Sequence, residues 1–169
     1  WAVKLRLKST AMTMLAERFQ RNHDYLRISL TDICNLRCVY CMPGGCRNML
    51  PPAALMQPDE IDAIAGMFVR EGVKKIRLTG GEPLVRKEAA EIIRRLSRYP
   101  VELTLTTNGT RIHRFMPVLA DAGVSSVNVS LDSLNRERFF RITGRDEFGQ
   151  VYDNIQLLLR NGFHVKVNV

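Results

Sequence analysis

Five short runs of this chain alternate apolar and polar residues, and four stretches between them repeat apolar residues at helical spacing. The alternation predicts strands over 26–31, 75–79, 101–106, 126–131 and 165–169. Ile61, Ile64, Ala65 and Phe68 recur at i, i+3, i+4, i+7, with Pro58 at the start of that pattern and Gly72 past its end. Ala89, Ile92, Ile93 and Leu96 repeat the spacing, as do Val151, Ile155, Leu158 and Leu159, which Gly162 stops. Ile112, Phe115, Met116 and Leu119 do so too, but Pro117 is expected to kink or restart that helix. Strands alternating with helices in this way mean a parallel sheet with crossover connections. No linker, second domain or internal repeat interrupts the rhythm.

The two faces of the strands differ. Parallel strands are normally apolar on both faces because helices cover both. Here one face is apolar: Leu26, Ile28 and Leu30; Ile76 and Leu78; Leu103 and Leu105; Val127 and Val129; Val165, Val167 and Val169. The other carries Arg27, Ser29 and Thr31; Lys75, Arg77 and Thr79; Thr104 and Thr106; Asn128 and Ser130; Lys166 and Asn168. Helices can cover the first face only, so the second must line something wet or hold a polar ligand. A bland alternative is a sheet with one solvated face, but three cations, Arg27, Arg77 and Lys166, gather on that side. A curved sheet with a polar concave side fits better than a barrel filled with branched side chains.

Composition narrows the class further. The 169 residues are 46% hydrophobic and 25% charged, with a formal net charge of +8. No run reaches the roughly 18 apolar residues of a membrane span. The basic balance favours an anionic partner without identifying it. All four cysteines, Cys34, Cys38, Cys41 and Cys46, fall in one short segment. Bridges there would close almost no loop, so the reading is reduced thiols in a cytoplasmic setting. Residues 1–20 are expected to be a poorly ordered or tag-like extension ahead of a core domain over 21–169. Lys4, Arg6 and Lys8 precede the first acid, Glu17, and no apolar signal core follows them.

Each unusual segment falls just after a strand: Asp32 to Cys41 after the first, Gly80-Gly81-Glu82-Pro83 after the second, Thr106-Thr107-Asn108-Gly109 after the third and Ser130-Leu131-Asp132 after the fourth. In βα barrels the carboxyl ends of the strands form the active site, so these segments are expected to converge. Cys34, Cys38 and Cys41 present three soft thiolates suited to zinc or an iron–sulfur cluster. Three protein thiolates would leave one iron of a cubane open to another ligand. Cys46 could instead complete a four-thiolate zinc site, although Gly44-Gly45 and the longer gap make it look like a loop bystander. His23, His113 and His164 share no metal-like spacing and are read as structural or exposed.

The three-cysteine loop, with Tyr40 before its last cysteine, together with Gly80-Gly81-Glu82-Pro83, resembles the radical S-adenosylmethionine enzymes. Leu26 to Asp32, Cys34-Asn35-Leu36-Arg37-Cys38, Tyr40 to Pro43, Arg77 to Leu84, Thr106 to Gly109, Asn128 to Asp132 and Lys166 to Val169 are together similar to the GTP 3′,8-cyclase family of molybdenum cofactor biosynthesis. The resemblance runs from about residue 17 to the last. It implies an α/β fold, a partial (β/α) TIM-type barrel truncated after strand 5. It also implies a [4Fe–4S] cluster on Cys34, Cys38 and Cys41. S-adenosylmethionine would meet Tyr40, Gly81, Ser130 and Glu82, the last near its amino group. GTP would meet Arg27, Arg77, Thr106 and Lys166. A 5′-deoxyadenosyl radical would take hydrogen from C3′ of GTP before C3′ bonds to C8. The protein would supply position and exclusion for chemistry that belongs to the cofactors.

Such a protein also needs a one-electron donor such as flavodoxin or ferredoxin, and it could work as a homodimer; neither a membrane nor nucleic acid is expected as a partner. Family members continue past strand 5 into a region with a second three-cysteine cluster. The expectation is therefore a fragment that binds cluster and cofactor but does not complete GTP cyclisation alone. Two other readings stand: a different radical S-adenosylmethionine enzyme, such as a peptide-modifying one, and a basic zinc-binding module for nucleic acid.

Overall fold

The computed structural model describes residues 23–41 and 49–169. Five parallel strands form one sheet in chain order: β1 (Tyr25–Ser29), β2 (Lys75–Thr79), β3 (Glu102–Thr107), β4 (Ser126–Ser130) and β5 (His164–Asn168). Helix α1 (Pro58–Arg70) leads into β2, α2 (Ala89–Leu96) into β3, and α3 (Ile112–Asp121) into β4. Two helices, α4 (Arg136–Thr143) and α5 (Phe148–Arg160), separate β4 from β5. This is the α/β, partial-barrel arrangement that the strand–helix rhythm implies. The expectations for residues 1–20 and for Cys46 lie outside the described residues.

Local chemistry explains the element ends. Pro58 occupies the first turn of α1, where a missing N–H costs nothing, and the Gln57 backbone N–H donates to Glu60 Oε2 at 2.7 Å. Helix α3 continues through Pro117 rather than restarting there; the ring lies on the exposed side, where water can serve the freed carbonyl. Helix α4 has no counterpart in the apolar spacing, because it is polar around most of its surface. Its caps specify it instead: Asn135 Oδ1 accepts from the Arg138 N–H at 2.9 Å, and Gly144 closes the helix at φ 67°.

The parity of the strands holds in β1 to β4; in β5 the apolar side is left open, with Val167 and Val169 exposed. Ile28, Leu30, Ile76, Leu78, Leu103, Leu105, Val127 and Val129 are buried against the apolar stripes of the helices, among them Ile61, Ile92, Leu119, Phe139 and Leu158. Burying one such side chain contributes about 1.5–3 kcal/mol before entropy is counted. The register sets Arg27 beside Arg77, Arg77 beside Thr104, Thr106 beside Asn128 and Asn128 beside Lys166. These residues therefore share the opposite face. Thr104 departs from the expectation of a wholly wet face: it is fully buried, with its hydroxyl donating to the Ile76 carbonyl at 3.2 Å.

Candidate active site at the carboxyl ends of the strands

The cysteine loop is pinned by its own backbone and by four elements outside it. At its start, the Ile33 N–H donates to Thr31 Oγ1, and the Gly81 and Glu82 N–H groups donate to the Thr31 and Ile33 carbonyls at 2.7 and 2.8 Å. A Cβ on Gly81 would stand 2.5 Å from the carbonyl oxygens of both Asp32 and Ile33, so only glycine permits this approach of the two loops. In the middle of the loop, Arg37 Nη1 donates to the Cys34 and Leu36 carbonyls at 2.6 and 3.0 Å. The Arg37 and Val39 N–H groups donate to the Thr143 and Ile142 carbonyls at the end of α4. A helix end normally leaves such carbonyls unsatisfied, and here the cysteine loop supplies their donors. At the far end, the Tyr40 hydroxyl donates to the Asp132 carboxylate at 3.1 Å; back at the start, the Asp32 carboxylate accepts from the Leu50 N–H at 2.8 Å.

Beneath the loop sits Glu82, fully buried. Its carboxylate accepts from the Leu84 N–H (3.0 Å), the Thr107 hydroxyl (2.8 Å) and the Asn108 N–H (2.6 Å). Burial pushes its carboxyl above the ordinary glutamate value, against the pull of those donors and of Arg111. This residue, expected beside the cofactor's amino group, thus ties the strand-2 loop to the strand-3 loop. Asn108 continues the chain of contacts, its amide reaching Cys34 Sγ at 3.7 Å.

Cys34 and Cys38 are half-buried, Cys41 is exposed, and all three are free thiols. Burial raises the Cys34 and Cys38 thiols, and each also feels the charge of Cys41. Desolvation and the neighbouring Cys38 and Asp132 push the Tyr40 phenol up as well. Among the described residues, no three His, Cys, Asp or Glu side chains close around a single ion. A cubane asks for something different, with each thiolate taking its own iron at a separate corner. Three free thiols on one pinned loop, close enough to share a field, fit that donor set.

The polar face of the sheet collects the other candidates. Arg77 Nη1 donates to Thr106 Oγ1 at 3.2 Å, its guanidinium lies 6.0 Å from the Tyr25 ring, and its buried Nε has no partner. A hollow of about 460 Å³ opens beside it toward the amino ends of the strands, lined by Lys75, Arg77, Glu102, Asn128, His164 and Lys166 among others. Arg27 shares the face through its register with Arg77, yet neither it nor Thr106 borders the hollow. Lys75 pairs with Glu102 at 2.9 Å, and that lysine holds the Glu102 carboxyl below its usual range. Ser130 stands at the end of β4, in register with Asn168. The strand-end motifs do converge, therefore, and the cationic residues lie on the one polar face.

Sequence comparison gives the arrangement its kin. The profile described as the radical SAM superfamily matches residues 28–169. The chain belongs to the radical SAM superfamily. Its cofactors are accordingly a [4Fe–4S] cluster and S-adenosylmethionine. The GTP 3′,8-cyclase of Listeria monocytogenes serotype 4b is 44% identical over 161 residues, covering 94% of this chain and 48% of that protein. The GTP 3′,8-cyclase of Brucella ovis is 45% identical over 159 residues, 91% of this chain and 46% of that one. The molybdenum cofactor biosynthesis protein moc-5 of Caenorhabditis elegans is 40% identical over 174 residues, 99% of this chain but 29% of that protein. The chain thus spans half or less of the length of these curated relatives. Among solved structures, Streptococcus suis SuiB bound to precursor peptide SuiA superposes with a TM-score of 0.74 at 19% identity, over 86% of this chain and 32% of that one. Native anSMEcpe with bound AdoMet superposes with a TM-score of 0.68 at 20% identity, over 85% and 43%. These two likenesses concern the fold.

No helix among the described residues is long and apolar enough to cross a membrane.

Proposed function

We propose that this chain is the cluster- and cofactor-binding part of a GTP 3′,8-cyclase. The reading is carried by one juxtaposition: the pinned three-thiol loop crowns a sheet whose polar face bears Arg27, Arg77 and Lys166. The names of the relatives supply the substrate, and the cations suit its triphosphate, since charge-assisted bonds to phosphate are strong and Arg binds it through two N–H groups.

Cys34, Cys38 and Cys41 hold the cluster in this reading, and Tyr40, Gly81 and Ser130 border S-adenosylmethionine. When bound, the two supply a 5′-deoxyadenosyl radical that removes a hydrogen atom from GTP. The chain's own residues do the placing. Gly81 lets the strand-2 loop lie against the cysteine loop, and Glu82 fixes that loop from below through Leu84, Thr107 and Asn108. Arg77, with Thr106 orienting it, and Lys166 face the triphosphate, with Arg27 on the adjoining strand. The electron comes from a one-electron donor such as flavodoxin or ferredoxin.

Two measurements test this. Electron paramagnetic resonance of the reconstituted, dithionite-reduced chain should give a [4Fe–4S] signal whose shape changes on adding S-adenosylmethionine; bound zinc in its place overturns the reading. Calorimetric titration with GTP should lose about tenfold or more in affinity in Arg77→Ala, as expected for losing one charge-assisted contact to a phosphate. Unchanged affinity removes GTP as the substrate.

A further inference from the structure

Three side chains close a ring of hydrogen bonds behind the first cysteine. Asn108 Nδ2 donates to Asn35 Oδ1 at 2.9 Å, Asn35 Nδ2 donates to Thr110 Oγ1 at 2.9 Å, and the Thr110 hydroxyl donates to Asn108 Oδ1 at 2.8 Å. The ring runs in one direction only. Asn108 Oδ1 also takes the Thr110 backbone N–H at 3.0 Å, so two donors mark that atom as the oxygen and decide how the amide is turned. One of the two amide hydrogens of Asn108 goes to Asn35. The other faces Cys34 Sγ at 3.7 Å, where the Leu36 N–H also donates at 3.4 Å. Asn108 is buried, and its backbone is clamped to Glu82 Oε2 at 2.6 Å.

We infer that Asn108 is a positioning residue that sets the reduction potential of the cluster through Cys34. The inference rests on the proposed ligation of that cluster by Cys34. A donor aimed at a thiolate ligand withdraws negative charge from sulfur and so favours the reduced cluster, which carries one more electron than the oxidised one. Burial keeps water from substituting for the amide. The ring holds the amide in this orientation in both redox states, so the effect needs no rearrangement when the electron arrives. Glu82 and Thr110 act through Asn108 and touch no sulfur.

The test is a potentiometric titration of the cluster-loaded chain, followed by electron paramagnetic resonance. In Asn108→Leu the midpoint should fall, lowering the ratio of reduced to oxidised cluster at a fixed potential about tenfold, or about 59 mV for one electron. Thr110→Val, which opens the ring but leaves the amide in place, should shift the midpoint less and in the same direction. Should the Leu variant not fold, the unmodified chain decides the question. Grown with 15N in the asparagine side chains, it should show a nitrogen coupling to the reduced cluster in double-resonance spectra. A loaded cluster with no such coupling, or with an unmoved midpoint in Asn108→Leu, overturns the role of Asn108 alone. A chain that takes up no [4Fe–4S] cluster overturns this inference and the site beneath it.

Discussion

Exchanging Glu82 for Gln keeps the shape of a fully buried side chain and changes one of its two oxygens into a donor. The retained oxygen can still serve the Leu84 N–H and the Thr107 hydroxyl, which share Oε1. The new amide nitrogen then faces the Asn108 N–H, which now donates to Oε2 at 2.6 Å. A buried N–H loses its acceptor and meets another donor, at a cost of about 1–3 kcal/mol. Glu82→Ala would strand all three donors, for about 3–9 kcal/mol, comparable with the whole stability of a domain, so Gln is the informative change. The assay is urea unfolding of the cluster-free chain, read as a shift in midpoint at unchanged slope. The pH dependence has a definite sign. Because burial raises the folded carboxyl, the native chain keeps its proton where the unfolded chain has lost it. Stability from this group is full below the ordinary value of 4.5 and is lost as pH rises through the raised folded value. Glu82→Gln should lack that decline. A variant within about 0.5 kcal/mol of the parent, the scatter of a neutral surface change, with the same pH slope would refute the role given to this carboxylate.

Gly81→Ala forces a Cβ to 2.5 Å from two backbone carbonyls, so the strand-2 loop must lift off the cysteine loop. A loss of about 3 kcal/mol or more is expected, checked by thermal unfolding, together with faster alkylation of Cys34. The guanidinium of Arg86, buried on the outer side, donates to the Leu30 and Met56 carbonyls at 2.7 and 2.5 Å. Arg86→Met should lower stability by about 2–4 kcal/mol in denaturant titration, because two charge-assisted bonds to carbonyls are lost together with the ion pair to Glu88. Asn154→Leu leaves the Gly109 carbonyl without its 2.7 Å donor and should cost about 1–3 kcal/mol by the same assay. Tyr40 is 64% exposed, so Tyr40→Phe should change stability by less than about 1 kcal/mol. It should still speed iodoacetamide labelling of Cys41, since the tie to Asp132 is what holds that end of the loop.

Strand positions were legible because the faces of this sheet differ; the observed strands lie within one or two residues of the alternating runs. The convergence of the motifs was legible for the same reason, since a parallel sheet gathers all its strand ends at one edge. Helix α4 was not, because a helix with Phe139 and Thr143 as its buried residues leaves no apolar stripe. Asn135 and Gly144, nine residues apart, were the available signal, as a cap at each end of an eight-residue helix. The inward turn of Glu82 was hidden for another reason. A carboxylate next to two glycines reads as ligand-facing, and only the folded backbone reveals that Asn108 and Leu84 offer their N–H groups to it. The Asn35–Asn108–Thr110 ring joins residues 75 positions apart, which no local pattern can express.

The cysteines sit early in the chain, but the last carbonyls to receive their loop belong to Ile142 and Thr143. About a hundred residues must therefore follow Cys41 before its loop can take this shape, a delay of roughly 5–20 seconds at ordinary rates of synthesis. During that interval the thiols belong to an incompletely anchored segment, open to oxidation or to the wrong metal. The shape of the cysteine loop is thus timed by the emergence of a polar helix that carries none of the chemistry itself.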